Sequence, residues 1–166
     1  MLPLVQFISV LLVAVAMAMA LAHALEYPGK LRLTKEAYIA TQPIYYPGFT
    51  IGGAVGEFGG ILVTLALLLL TPFGLDFWLV LGTVIGLIAM QAVYWTMTHP
   101  VNSFWLKDTK LGGAGKGFFG SDPLRNKNDN RPAEWTDLRD QWEYSHVIRA
   151  ALGLASLALL TGSLVA

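Results

Sequence analysis

The stretch Trp135-Thr-Asp-Leu-Arg-Asp-Gln-Trp-Glu-Tyr-Ser-His-Val-Ile-Arg149 carries a polar, aromatic stripe directly into the last apolar segment of the chain. Trp135, Arg139, Trp142, His146 and Arg149 recur at intervals of 4, 3, 4 and 3, so on a helix they share one face. Between Ala150 and Ala166 the only polar side chains are Ser156, Thr161 and Ser163. The lower end of the stripe, His146 and Arg149, must therefore sink into apolar surroundings, where polar groups need partners.

Composition identifies the surroundings. Of 166 residues, 55% are hydrophobic and 13% charged, too apolar for an ordinary soluble domain and matched to a bilayer. The chain has no cysteine, which removes disulfides, iron–sulfur clusters, thiolate haem ligation and cysteine nucleophiles. The 11 basic and 11 acidic residues cancel, so no overall field points to nucleic acid.

Working outward, four segments are long enough to cross a membrane. Residues 4–25 are apolar apart from Gln6, Ser9 and His23. A cleaved signal peptide is the rival reading of this segment. No Lys or Arg precedes it, and it exceeds the ~7–15 residues of a signal core, so residues 1–25 are expected to be retained. Span two, 51–70, begins rich in glycine, with Gly52, Gly56 and Gly60 four apart, a face on which a partner membrane helix could approach closely. Span three covers 77–98 and span four about 145–165. The connection 27–50 is broken by prolines and glycines, with Thr34 placed to cap a short helix through Gln42. The connection 71–76 is a tight turn. Within the third connection, 99–144, residues Lys107 to Glu134 form a hydrophilic loop dense in Gly and Asn, with Phe118 and Phe119 able to dock on the membrane surface.

The expectation is one all-α membrane domain, an up-down four-helix bundle with connections 27–50 and 99–144 on one face and both termini on the other. All basic residues except Arg149 lie in those two connections, which makes that face cytoplasmic by the positive-inside bias. Antiparallel threading then brings His23, Glu57, His99 and His146 to one level, with Asn102 and Arg149 close by. These include every histidine in the chain. Intramembrane ionisable groups are costly; they pair with one another or mark a functional site.

Two classes of function fit. In the first, Glu57 neutralises Arg149 across the bundle, the histidines hydrogen-bond locally, and the protein is a non-enzymatic membrane subunit or scaffold. In the second, the cluster is a site with His23, Glu57, His99, His146, Arg149 and Asn102 as its residues. His23, Glu57, His99 and His146 could ligate a non-haem metal such as Fe or Cu. Paired histidines could hold a haem. With no cofactor at all, a neutral imidazole could act as a general base toward an acidic C–H or phenol, Arg149 or Asn102 stabilising the oxyanion. For a metal site, Glu26 or Glu143 could supply the acceptors that orient the imidazoles. The run Gly112-Gly-Ala-Gly-Lys-Gly117 fails as a phosphate loop, since Lys110 stands where a glycine is required and no Ser or Thr follows Lys116.

Four motifs carry a family resemblance: His23-Ala-Leu-Glu-Tyr-Pro-Gly-Lys-Leu-Arg-Leu33, Gln42-Pro-Ile-Tyr-Tyr-Pro-Gly-Phe49, His99-Pro-Val-Asn102, and the Trp135–Arg149 stripe. Together they resemble the anthrone-oxygenase-like family of small four-span membrane proteins, most of whose bacterial members have no known function. The resemblance implies a bacterial inner-membrane protein, possible oxygenation of an apolar aromatic substrate without an obvious cofactor, and functional roles for His146, Asn102 and His23. The His99-Pro lead and the long Gly/Asn loop depart from the biosynthetic members, which bears on the substrate more than on the fold.

Overall fold

A computed structural model describes residues 1–105 and 134–166. The glycine-rich loop and Phe118-Phe119 lie outside the described residues. All regular structure among the described residues is helical. Helix α1 spans Leu2–Lys30, α2 Lys35–Thr41, α3 Gly48–Leu70, α4 Leu75–Val93, α5 His99–Trp105 and α6 Trp135–Gly162. A π-helical turn, Tyr94–Thr98, joins α4 to α5 without a break. Four helical stretches, Leu2–Lys30, Gly48–Leu70, Leu75–Asn102 and Trp135–Gly162, are long and apolar enough to cross a membrane. The protein is an all-α integral membrane bundle.

The helices run further at the long-connection end than apolar composition alone indicates. Span one continues past residue 25 to Lys30, where the Lys30 ammonium reaches back one turn to Glu26 at 3.0 Å. Span three continues past Thr98 to Trp105. Pro100 has no N–H to offer the preceding turn, and the wide π-turn sits directly before it, which accommodates the missing bond without ending the helix. Helix α6 starts at Trp135, as the helical stripe leads one to expect, so the apolar span from about 145 is the continuation of a longer helix and the third connection ends before Trp135. That extra helix is stabilised by tertiary contacts: Trp142 and Glu143 are buried, and Trp135 packs near Tyr38. Thr34 caps α2, its Oγ1 accepting from the Ala37 N–H at 3.3 Å.

The bundle is a ring in which α1 packs on α3 and α6, and α4 packs on α6 and, less extensively, on α3. Val13, Ala16, Ala20, Leu67, Leu87, Met90 and Leu160 fill its centre. Outward-facing positions carry Phe7, Leu11, Val55, Leu62, Leu69, Ile85 and Leu154, the inverse of a soluble protein and suited to lipid. A second buried cluster, Tyr38, Val101, Trp105 and Trp142, closes the long-connection end.

Small residues draw three of the four seams together. The glycine face of α3 is occupied by the chain's own α1: a Cβ on Gly56 would lie 2.6 Å from the backbone nitrogen of Ala16, and one on Gly52 3.1 Å from Met19 Sδ. This corrects the expectation that the face awaits a partner helix. Gly153 lets α6 approach α1 at Met17, and Gly86 lets α4 approach Ser156 of α6. Only the α3–α4 seam has no comparable backbone approach among the described glycines.

Replacing Gly56 with leucine forces α1 and α3 apart, and the expected loss is about 1–3 kcal/mol of stability. Thermal unfolding in detergent measures it; an unchanged midpoint contradicts the close approach.

Candidate functional site

Where the four helices meet the connection 31–47 lies a partly open cavity of about 260 Å³. His23 enters it from α1, Tyr45 and Phe49 from the connection and the start of α3, Glu57 from α3, Tyr94, Asn102 and Trp105 from the α4–α5 stretch, and Trp142, His146 and Arg149 from α6. Of the six expected site residues, five line it. It also reaches the outer surface of α3, since Ala54 and Phe58 both line the cavity and are exposed.

Its floor is an ion pair between Glu57 and Arg149, both buried, with Arg149 Nη2 donating to Glu57 Oε1. Gln91 Nε2 donates to the other carboxylate oxygen at 2.5 Å, so the carboxylate binds groups from both α4 and α6. The guanidinium carbon lies 5.2 Å from the Tyr94 ring centroid. The expected cross-bundle neutralisation is present.

Arg149 also determines the state of His146. Its Nη1 lies 3.2 Å from His146 Nδ1, and a guanidinium can only donate. Nδ1 must therefore accept, and the ring proton of the neutral imidazole sits on Nε2. That Nε2 is buried and has no partner. His146 is thus a fixed donor at the cavity wall rather than the proton acceptor expected of a general base.

His23 stands in a box of rings. Its centroid is 4.1 Å from His146, 4.5 Å from Tyr45, 4.6 Å from Phe49 and 4.9 Å from Trp142. Its Nδ1 is buried with no partner. No arginine engages this ring nitrogen, so the tautomer of His23, unlike that of His146, is not set by a charged neighbour. Asn102 Oδ1 accepts from Trp142 Nε1 at 2.8 Å, which fixes α5 against α6 and orients the indole against both histidines.

His99 departs from the expected cluster. It is buried, but its Nδ1 lies 3.3 Å from the Tyr94 hydroxyl, its ring packs on Tyr94 and Trp95, and it does not line the cavity. The π-turn changes the register of this stretch and carries His99 away from its expected face. Among the described residues, no group of three or more His, Asp or Glu side chains is placed to hold a metal ion. The ligand set His23, Glu57, His99 and His146 is divided: two rings stacked on each other, a carboxylate held by Arg149 and Gln91, and a histidine outside the wall.

The upper half of the stripe also leaves the site. Arg139 pairs with Asp140 at 2.7 Å and lies over Trp135, toward the connection. Glu26 and Glu143 do not orient the imidazoles as expected. Instead they form a second network around buried Lys30, with Glu143 buried and Glu26 exposed; Lys30 sits 3.4 Å from Glu143 and over the Tyr45 and Trp142 rings. Tyr38 donates to Glu143 at 2.8 Å and Tyr45 to Glu26 at 2.6 Å. Burial, reinforced by the adjacent carboxylates, pushes the ionisation of both phenols well above the ordinary tyrosine range, so both stay protonated. The Glu26–Lys30 spacing was a readable signal of this network; the pairing with Glu143 was not, because it joins residues 113 apart in sequence.

No family model, curated protein or solved structure matches the chain.

A double-mutant cycle tests the floor of the site. Glu57→Ala and Arg149→Ala are each expected to cost about 3–5 kcal/mol by leaving an uncompensated buried charge, and the double variant to recover part of the sum. Strict additivity in detergent unfolding would show that the two are not coupled.

Proposed function

We propose that the protein is a membrane enzyme that takes an apolar aromatic carbonyl compound into the cavity and abstracts a proton from carbon. The observation that carries this reading is the pairing of unlike imidazoles: His23, with a buried unpartnered Nδ1, lies 4.1 Å in centroid distance from His146, whose Nε2 proton is fixed and unpartnered. His23 takes the proton of the activated C–H. His146 Nε2–H and the Arg149 guanidinium beside it stabilise the enolate oxygen that develops, as preorganised donors in a water-poor site. The aromatic box of Tyr45, Phe49 and Trp142 supplies the apolar contact that binds and orients a flat substrate.

The resemblance of the four motifs to anthrone-oxygenase-like proteins supports an oxidoreductase or oxygenase class, in which dioxygen is the co-substrate that oxidises the carbanion. The residues that carry the resemblance, His23, Asn102 and His146, all line the cavity. A second reading rests on the Glu57–Arg149 pair: the protein is a scaffold or subunit whose buried charges hold α3 to α6. We place the long connections on the cytoplasmic side of a bacterial inner membrane, from the distribution of basic residues.

Proton abstraction is measured without knowledge of the natural substrate. The purified protein is expected to accelerate deuterium exchange at the methylene of anthrone in D2O under argon, with His23→Ala lowering the rate by about 10²-fold or more and unfolding at nearly the wild-type temperature. Exchange no faster than in buffer would remove the enzyme reading and leave the scaffold. Reporter fusions after Asp76 and after Lys116 are expected on opposite sides, the second cytoplasmic; one compartment for both would overturn the topology.

A further inference from the structure

Of the residues that line the cavity, only Ala54 and Phe58 are exposed. Both belong to α3 and stand four residues apart on one face. Other sides are closed by specific contacts. The Glu57–Arg149 pair with Gln91 forms the floor. On the connection side Tyr38 and Gln42 are buried, and the phenols of Tyr38 and Tyr45 tie that segment to Glu143 at 2.8 Å and to Glu26 at 2.6 Å. Toward α1, the approach of Ala16 to Gly56 seals the edge of α3.

Beside Ala54 the wall is thin. Gly53 also lines the cavity, and among the described residues a Cβ built there would meet only Glu57 Oε1, at 3.8 Å, with nothing from a neighbouring helix within 4 Å. A Cβ on Gly56, three residues on, would instead lie 2.6 Å from the α1 backbone. Helix α3 therefore sets two adjacent small residues, Gly53 and Ala54, at the cavity edge, with Thr50 and Phe58 as the larger side chains on either side of them along the axis. The rest of the helix defines what lies outside. Every exposed residue of α3 from 51 to 70 is apolar, and the one charged side chain in that range, Glu57, is buried. Such a face suits acyl chains, because hydrocarbon offers polar groups no partner.

We infer that the window at Gly53, Ala54 and Phe58 opens into the acyl-chain layer and is the way into the cavity for an uncharged molecule dissolved in the membrane. A permanently charged molecule is excluded from this route, because it would have to shed its hydration shell to cross hydrocarbon. Phe58 is the movable part of the rim: a rotamer change of its ring alters the width of the window with no backbone movement. The route is independent of the reaction proposed above, so either can fail without the other.

The chain has no cysteine, so a single one placed in the cavity reports access by itself. Thr98 lines the cavity and is buried, and Thr98→Cys changes its volume little. The full-length variant in lipid nanodiscs is treated with methyl methanethiosulfonate, which is uncharged, or with its trimethylammonium-ethyl analogue, which carries a fixed positive charge. Each rate is referred to the rate of the same reagent on the unfolded chain. The uncharged reagent is expected to react at least about tenfold faster than the charged one. Adding Ala54→Phe is expected to slow the uncharged reagent about tenfold by blocking the window, and adding Phe58→Ala to quicken it. Both positions are exposed, so neither change disturbs the packed interior. Equal rates for the two reagents, or rates indifferent to both α3 variants, would place the entrance elsewhere and overturn the inference. So would a thiol that neither reagent reaches in the folded protein while both reach it in the unfolded chain.

Discussion

A carboxylate and a guanidinium placed among apolar helices have to find each other, and much of this bundle is arranged around that requirement. Glu57 can be ionised at its depth only because α6 delivers Arg149 and α4 delivers Gln91 to its two oxygens. The pair joins α3 to α6, which sit diagonally in the ring and share no extensive packing of their own. It thereby fixes the depth at which α6 lies against its neighbours, and with it the level of every side chain on the polar stripe. Trp142 and His146 reach His23 because Arg149 is anchored below them.

The same arginine gives two chemically identical side chains different surroundings. One imidazole is engaged at Nδ1 and keeps its proton on the far nitrogen; the other, packed against it, has no charged group on its ring nitrogens. Separation of acid and base roles by environment is the general way in which one residue type serves both. Under the proposed function, that separation would come from a third residue, Arg149, with a fixed set of donors.

The sequence made the four spans, the capped helix at Thr34 and the convergence of His23, Glu57, Asn102, His146 and Arg149 legible, because apolar length and antiparallel threading are one-dimensional properties. What was not legible depends on three-dimensional detail. The displacement of His99 follows from a single widened turn before Pro100, which a 3.6-residue period cannot anticipate. The occupation of the α3 glycine face by α1 depends on which neighbour the ring topology supplies, and small-residue spacing does not distinguish an internal helix from a foreign one. Tyr45, Phe49 and Trp105 are cavity wall, a placement that depends on what folds over an aromatic at a membrane edge. The network of Lys30, Glu143 and Tyr38 joins three separate helices and leaves no local trace beyond the Glu26–Lys30 spacing.

Three seams of the ring are drawn tight by glycine, and the cavity reaches the outer surface of α3 at exposed Ala54 and Phe58. On the reading of the cavity as a ligand site, an opening on that apolar face of α3 would admit ligand from hydrocarbon rather than from water. Occupancy would then follow the concentration of ligand dissolved in the acyl layer, so two compounds with equal affinity from the bilayer would differ in apparent aqueous potency by the ratio of their partition coefficients. Supply would occur by diffusion in the plane of the membrane, and a compound made by a neighbouring membrane protein would reach the site without ever entering solution.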